Sequence, residues 1–198
     1  MYIYPMPLNS HTMPDLLFTV NDVARTLHIS TASARVLCSR YSKSNKIIRI
    51  RNNLYILAER WNYLTLNEKL RIANRIQVPS YISFSTAINY YELTDQMYRG
   101  WIESVARQRS INYSVKELTY VFRLMKADYY QGYTLRDGIF IAIPEKALAD
   151  IVYYTSIGRY AFDFSAVSWD RVDSDRLLKW LSLYPPKTLK WIQRRGYF

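Results

Sequence analysis

The chain has one cysteine, Cys38, and only two histidines, His11 and His28, in 198 residues. One thiol excludes an internal disulfide framework and too few ligands remain for a zinc cluster, so neither structural metal nor cofactor is expected. Glycine is scarce as well, at five residues, and no Gly-rich phosphate loop and no Ser/His/Asp arrangement is legible, so the protein is not expected to be an enzyme. No apolar run approaches the roughly 18–20 residues that span a bilayer, and the N-terminus has no basic segment leading into an apolar one. A soluble, cytoplasmic protein without membrane contact is expected. Acidic residues are few: 16 Asp and Glu stand against 27 Lys and Arg, a net charge of +11.

What is present suffices for a core. With 49% hydrophobic and 16% aromatic residues, burial can offset chain entropy, and no polar, repetitive or low-complexity stretch points to disorder. The length fits one large domain or two small ones, and the pattern divides into an irregular arm at 1–17, a domain at 18–77 that includes a connecting helix, and a domain at 78–198. The fold class read from it is α+β: an N-terminal winged helix-turn-helix followed by a mixed α+β domain.

The arm contains Pro5, Pro7 and Pro14, which block a helix. From Phe18 the spacing turns helical: Thr19 caps a helix over Val20–Leu27, and Ser30 caps a second from Thr31 to about Ser42, with Ala34, Leu37, Cys38 and Tyr41 on its packed face. Lys46-Ile-Ile-Arg-Ile-Arg, Asn52-Asn53 and Leu54-Tyr-Ile-Leu then read as a β-hairpin wing in which Ile48 and Ile50 point inward and Arg49 and Arg51 outward. Cys38 reads as a small packed residue rather than a redox sensor.

Charge concentrates in this segment. Residues 18–57 hold Arg25, Arg35, Arg40, Lys43, Lys46, Arg49 and Arg51 against the single acid Asp22, or +6. Such a field attracts phosphate backbones, although a solvated basic surface has the same composition. The order of elements favours DNA: the second helix of a helix-turn-helix enters the major groove with its N-terminal residues against base edges. Thr31, Ser33 and Arg35 are the candidate base readers. Ser30 frees the helix start for a phosphate, Ser39 lies on the outward face, Arg40, Lys43 and Lys46 are candidate phosphate contacts, and Arg49 and Arg51 project from the wing.

Downstream, a helix is expected over Trp61–Gln77, ended by Pro79, and another around Ser85–Tyr91. Strands are expected at Trp101–Gln108, Ile111–Val115, Glu117–Arg123, Tyr129–Leu135 and Ile139–Ile143, with Asp137-Gly138 as a turn. Pro144 opens a helix to about Tyr154 whose buried face is Ala147, Leu148, Ile151 and Val152; Ser174 caps Asp175–Leu183; a basic helix runs over Lys187–Arg195 to Gly196. Trp169, Trp180 and Trp191 read as core. Asp137, Glu145 and Lys146 only loosely imitate the converging carboxylates and lysine of a metal-dependent nuclease.

Over residues 18–155 the chain resembles the AbiE-type antitoxin family, abortive-infection regulators of type IV toxin–antitoxin systems. The resemblance is carried by Phe18-Thr-Val-Asn-Asp-Val-Ala-Arg-Thr-Leu-His-Ile-Ser, Arg51-Asn-Asn-Leu-Tyr-Ile-Leu, Val78-Pro-Ser-Tyr-Ile-Ser-Phe-Ser-Thr-Ala-Ile-Asn-Tyr-Tyr-Glu-Leu and Ile141-Ala-Ile-Pro-Glu-Lys-Ala-Leu-Ala-Asp-Ile-Val-Tyr-Tyr. It implies a winged helix that represses its own operon at inverted repeats in double-stranded DNA, and a C-terminal domain that counters a nucleotidyltransferase-like toxin. Two departures from the family fall in the N-terminal part of the chain. A proline-containing arm stands where many winged helices have a full first helix, and Asn-Asn stands at the wing tip where Arg-Gly is common. A stand-alone winged-helix regulator without a toxin is the alternative, and a nuclease using Asp137, Glu145 and Lys146 the remote one.

Overall fold

The computed structural model describes residues 8–96 and 100–197. The chain is α+β and divides into two compact units, the first ending at Ile72 and the second beginning at Ala73. Residues 1–7, with Pro5 and Pro7 of the expected arm, lie outside the described residues.

In the first unit, α1 (Val20–Thr26) starts at Thr19 because a capping box satisfies its end: the Asp22 N–H donates to Thr19 Oγ1 at 3.3 Å and the Thr19 N–H to Asp22 Oδ2 at 2.8 Å. His28, at φ 51°, turns the chain into α2 (Thr31–Lys43), capped by Ser30. β1 (Ile47–Arg51) and β2 (Leu54–Leu57) form an antiparallel hairpin. No helix precedes α1 among the described residues. Instead a turn, in which the Met13 N–H donates to the Asn9 carbonyl at 2.8 Å, carries Leu8 and Met13 into the core formed by Phe18, Val20, Val23, Ala34, Cys38, Ile47, Tyr55 and Leu57. The described part of the arm is irregular and contributes Leu8 and Met13 to the core, while Ser10, His11, Pro14 and Asp15 stay exposed.

The hairpin corrects the expected alternation. Ile47 and Ile50 are buried while Ile48 is half-buried, because the register shifts between Arg49 and Arg51: Arg49 pairs with Tyr55 and Arg51 with Leu54, leaving Ile50 as the extra residue of a bulge. The expected Trp61–Gln77 helix is two helices, α3 (Ala58–Trp61) and α4 (Leu66–Ile76). Thr65 and Glu68 form a capping box, the Thr65 N–H donating to Glu68 Oε2 at 2.9 Å and the Glu68 N–H to Thr65 Oγ1 at 3.3 Å, and that start signal ends any continuous helix from Trp61.

The second unit is built on a six-stranded sheet in the order β5-β6-β4-β3-β8-β7. Its strands are β3 (Ser80–Ile82), β4 (Trp101–Ala106), β5 (Ile111–Val115), β6 (Leu118–Leu124), β7 (Tyr133–Arg136) and β8 (Ile139–Ala142). The pairs β4–β6 and β3–β8 are parallel and the others antiparallel. Part of the strand expected at Tyr129–Leu135 is a 3-10 turn over Ala127–Tyr129, and β3 was not anticipated. α5 (Phe84–Tyr90) and α6 (Pro144–Ser156) pack on each other, and α6 is buried nearly all round from Glu145 to Val152 rather than on one face. α7 (Ser174–Leu181) is capped by Asp173, whose carboxylate accepts from the Arg176 N–H, rather than by Ser174. α8 (Pro186–Gln193) begins one residue before Lys187 and stops short of Arg195. The expected tryptophan packing is partial, with Trp169, Trp180 and Trp191 each half-buried.

Candidate nucleic-acid interface

α2 sorts its side chains by the helical period. Ala34 and Cys38 are buried and Leu37 and Tyr41 half-buried on the packed face. Burial raises the Cys38 thiol above its ordinary range, as in a packed rather than reactive cysteine. Opposite them Ser30, Thr31, Ser33, Arg35, Ser39, Arg40 and Lys43 are all exposed, as are Lys46 and Arg49 beyond the helix.

The structure brings part of this set together. Arg35, Ser39, Ser42 and Lys43 from α2, Arg49 from β1, and Asn52 and Asn53 from the hairpin tip line one open groove of about 670 Å³. Spacings of four residues place Arg35, Ser39 and Lys43 along one edge of the helix. Across the groove Arg49 Nη2 donates to Asn52 Oδ1 at 3.1 Å, which orients its guanidinium at the tip. Arg40 and Ser33 lie off this line on the far side of α2, and Ser33 is engaged at the cap, accepting from Ser30 Oγ at 2.9 Å. The Lys46 ammonium sits 5.1 Å from the Tyr41 ring centre. Arg51 departs from expectation: half-buried beside the bulge, it donates from Nη1 to the Asn52 carbonyl at 3.2 Å.

Two features fix the far wall. Phe18 and Tyr55 exchange backbone hydrogen bonds of 3.0 and 2.9 Å, and the Val20 N–H donates to Asn53 Oδ1 at 3.0 Å, so the hairpin tip is fastened to the start of α1. Asn53, at φ 56°, occupies the left-handed conformation that asparagine tolerates. Electrostatically the groove is one-signed. The segment's only carboxylate, Asp22, is taken up by the α1 cap and a 2.8 Å ion pair with Arg25. Among the described residues no carboxylate pairs with Arg35, Arg40, Lys43, Lys46, Arg49 or Arg51.

The sequence reading missed two residues here. Ala32 and Val36 are exposed, Val36 at 51%, and with Ser39 and Lys43 they form the outermost ridge of α2 at spacings of four, three and four. A valine inside a helical pattern counts as core until its phase is known, so the signal was the phase of Ala34, Leu37, Cys38 and Tyr41.

In the second unit, Asp137, Glu145 and Lys146 lie in different surroundings. Lys146 is fully buried and paired with Asp150 one turn on; its Nζ also donates to Tyr81 and Tyr184 hydroxyls at 3.0 and 2.8 Å. Asp150 accepts in addition from Ser83 Oγ at 2.7 Å and Tyr81 OH at 3.2 Å. Burial lowers the Lys146 ammonium below its ordinary range, an effect the Asp150 carboxylate partly offsets. Asp137 is exposed in the β7–β8 turn, where it accepts from Tyr90 OH at 3.3 Å, and Glu145 is buried. A second buried carboxylate, Glu103, takes Arg123 Nη2 at 2.9 Å and Tyr160 OH at 2.7 Å. Glu103 on β4 also accepts from the Ser85 N–H of α5 at 3.3 Å, so both clusters tie a helix to the sheet.

No helix among the described residues is long and apolar enough to cross a membrane. No family model and no curated protein matches the chain. Among solved structures it is similar to the crystal structure of the RV2827C protein from Mycobacterium tuberculosis, with a TM-score of 0.61 and 10% sequence identity over 93% of this chain and 72% of that one. At that identity the likeness is one of fold.

Proposed function

We propose that the first unit is a winged helix-turn-helix that binds duplex DNA and that the protein is a transcriptional regulator. The observation that carries this reading is one groove that holds Arg35, Lys43 and Arg49, with no carboxylate paired to them among the described residues. On a duplex, α2 enters the major groove, Arg35 addresses guanine through its two-pronged donor face, and Thr31 reaches a neighbouring base, while Ser33 stays engaged with Ser30 at the helix start. Arg40, Lys43 and Lys46 meet phosphates, and Arg49 meets the backbone or minor groove beside the hairpin tip. Arg51, turned into the hairpin, contributes field rather than contact.

The resemblance to AbiE-type antitoxins narrows the proposal. In the cytoplasm the protein would bind inverted repeats in its own promoter, repress that operon, and counter a nucleotidyltransferase-like toxin through its second unit. The buried α6, with its Pro-Glu-Lys-Ala-Leu-Ala-Asp start, would then be the scaffold for the toxin-directed surface.

Mobility shifts with its own upstream region test the DNA reading. Affinity should fall steeply with salt; Arg35→Ala should relax base preference at one position; Arg49→Ala should weaken binding to all sequences and lower the salt slope by about one. Absence of any salt-sensitive shift refutes DNA binding. Coexpression with a neighbouring nucleotidyltransferase-like gene tests the antitoxin reading, and a shift without rescue of growth would leave a stand-alone regulator.

A further inference from the structure

The ridge of α2 carries an apolar group that core packing does not use. Val36 is the one large hydrophobic side chain of α2 that is exposed among the described residues, while Ala34, Leu37, Cys38 and Tyr41 supply the packed face. A β-branched residue there does not favour the helix either, since valine is a weaker helix former than alanine. Its surroundings are short: Ala32 precedes it by one turn, Ser39 follows, and Ser33 is engaged with Ser30. The long cations Arg35 and Arg40 stand on either side of the ridge, and Lys43, the one long cation of α2 on it, lies two turns beyond Val36. A surface shaped this way lets the helix approach a base edge closely at Val36 while its flanks reach outward.

We propose that Val36, supported by Ala32, recognises the C5-methyl group of thymine in the major groove. The inference rests on the proposed DNA-binding function. Thymine alone among the four bases presents a methyl group in that groove; cytosine carries only a hydrogen on the same carbon, and the purines present the N7 acceptor there. An apolar side chain placed there gains most contact area with thymine, gains less with cytosine, and strips water from a purine N7 without replacing its hydrogen bond. Val36 therefore selects by attraction to the thymine methyl and by a desolvation cost against purines.

The test uses the full chain and duplexes enriched by the wild-type protein from a randomised pool, in which each thymine is replaced singly by deoxyuridine, removing only the methyl. At one position per half-site the replacement should weaken wild-type binding by about 4-fold, the worth of one buried methyl-sized group. The same replacement should leave Val36→Ala binding unchanged, and Val36→Ala should bind the thymine duplex about as weakly as wild type binds the deoxyuridine duplex. Circular dichroism of Val36→Ala checks that the exposed substitution leaves the fold intact. Replacements that cost the wild type less than about 2-fold everywhere, or that cost both proteins equally, overturn the inference and leave DNA binding standing. Failure to enrich any duplex overturns both.

Discussion

Removing the Asp150 carboxylate while keeping its shape, as Asp150→Asn, should be among the most damaging single changes in the second unit. Asp150 and Lys146 have no side-chain exposure, and the carboxylate also accepts from Ser83 and from Tyr81 and Tyr184. Stranding a buried ammonium without its counterion costs about 3–5 kcal/mol, a large share of the roughly 5–15 kcal/mol that holds a domain together. The magnitude belongs to the unpaired charge, so Lys146→Met in the Asp150→Asn background should recover at least about 2 kcal/mol. Urea unfolding followed by tryptophan fluorescence reads this out, because Trp101, Trp169, Trp180 and Trp191 all lie in the second unit. pH adds a check of sign. Burial already lowers the Lys146 ammonium and Asp150 offsets part of that; without the carboxylate the folded-state value falls further below the unfolded one. Between those two values the unfolded chain binds more protons, so the stability of Asp150→Asn should rise with pH toward the ordinary lysine range. A loss below about 1 kcal/mol, or a double variant whose cost equals the sum of the single ones, would refute the reasoning.

Three further outcomes are expected. Asn53→Ala removes the acceptor of the Val20 N–H from a residue at φ 56° and should lower stability by about 1–2 kcal/mol, with Asn53→Gly restoring the backbone share, as thermal melts would register. Gly132→Ala would set a Cβ 2.7 Å from Trp180 Cη2 and 2.9 Å from Lys146 Cγ at φ +75°, so a loss of roughly 1–3 kcal/mol in urea is expected, and a neutral result would mean that the backbone there shifts freely. Tyr154, raised to about 12 by burial and by the nearby Asp150, should ionise only above the ordinary tyrosine range. Because its folded value lies above the unfolded one, its contribution is complete below about pH 10 and is lost as pH climbs to about 12; a native absorbance titration overlaying that of the unfolded chain would contradict this.

Local chemistry was what the sequence made legible. Thr19 and Ser30 announced both helix starts, and the polar outer face of α2 followed from its apolar period. Thr65 and Glu68 carried an equally clear start signal, yet the leucine and isoleucine period around them masks the interruption at Asn62–Thr65. The β1 bulge was illegible because Ile47, Ile48 and Ile50 are interchangeable as apolar residues, and only pairing with β2 decides which two face inward. Lys146 and Asp150, four residues apart, look like an ordinary exposed helix pair. Their burial depends on Tyr81 and Ser83, more than sixty residues upstream, and on Tyr184, well downstream; no local pattern encodes that meeting.

The fastening of the hairpin tip to α1 has a mechanical consequence. With Phe18 and Tyr55 paired and Asn53 holding the Val20 N–H, the hairpin wall of the groove is braced before any duplex arrives, and little backbone ordering is left to be done there on binding. Under the proposed function the compliant partner is then the duplex. Whatever mismatch exists between groove and helix is absorbed by bending or twisting base steps, and soft steps such as TA and CA yield more cheaply than stiff A-tracts. A braced groove would in this way register the stiffness of base pairs that no side chain touches.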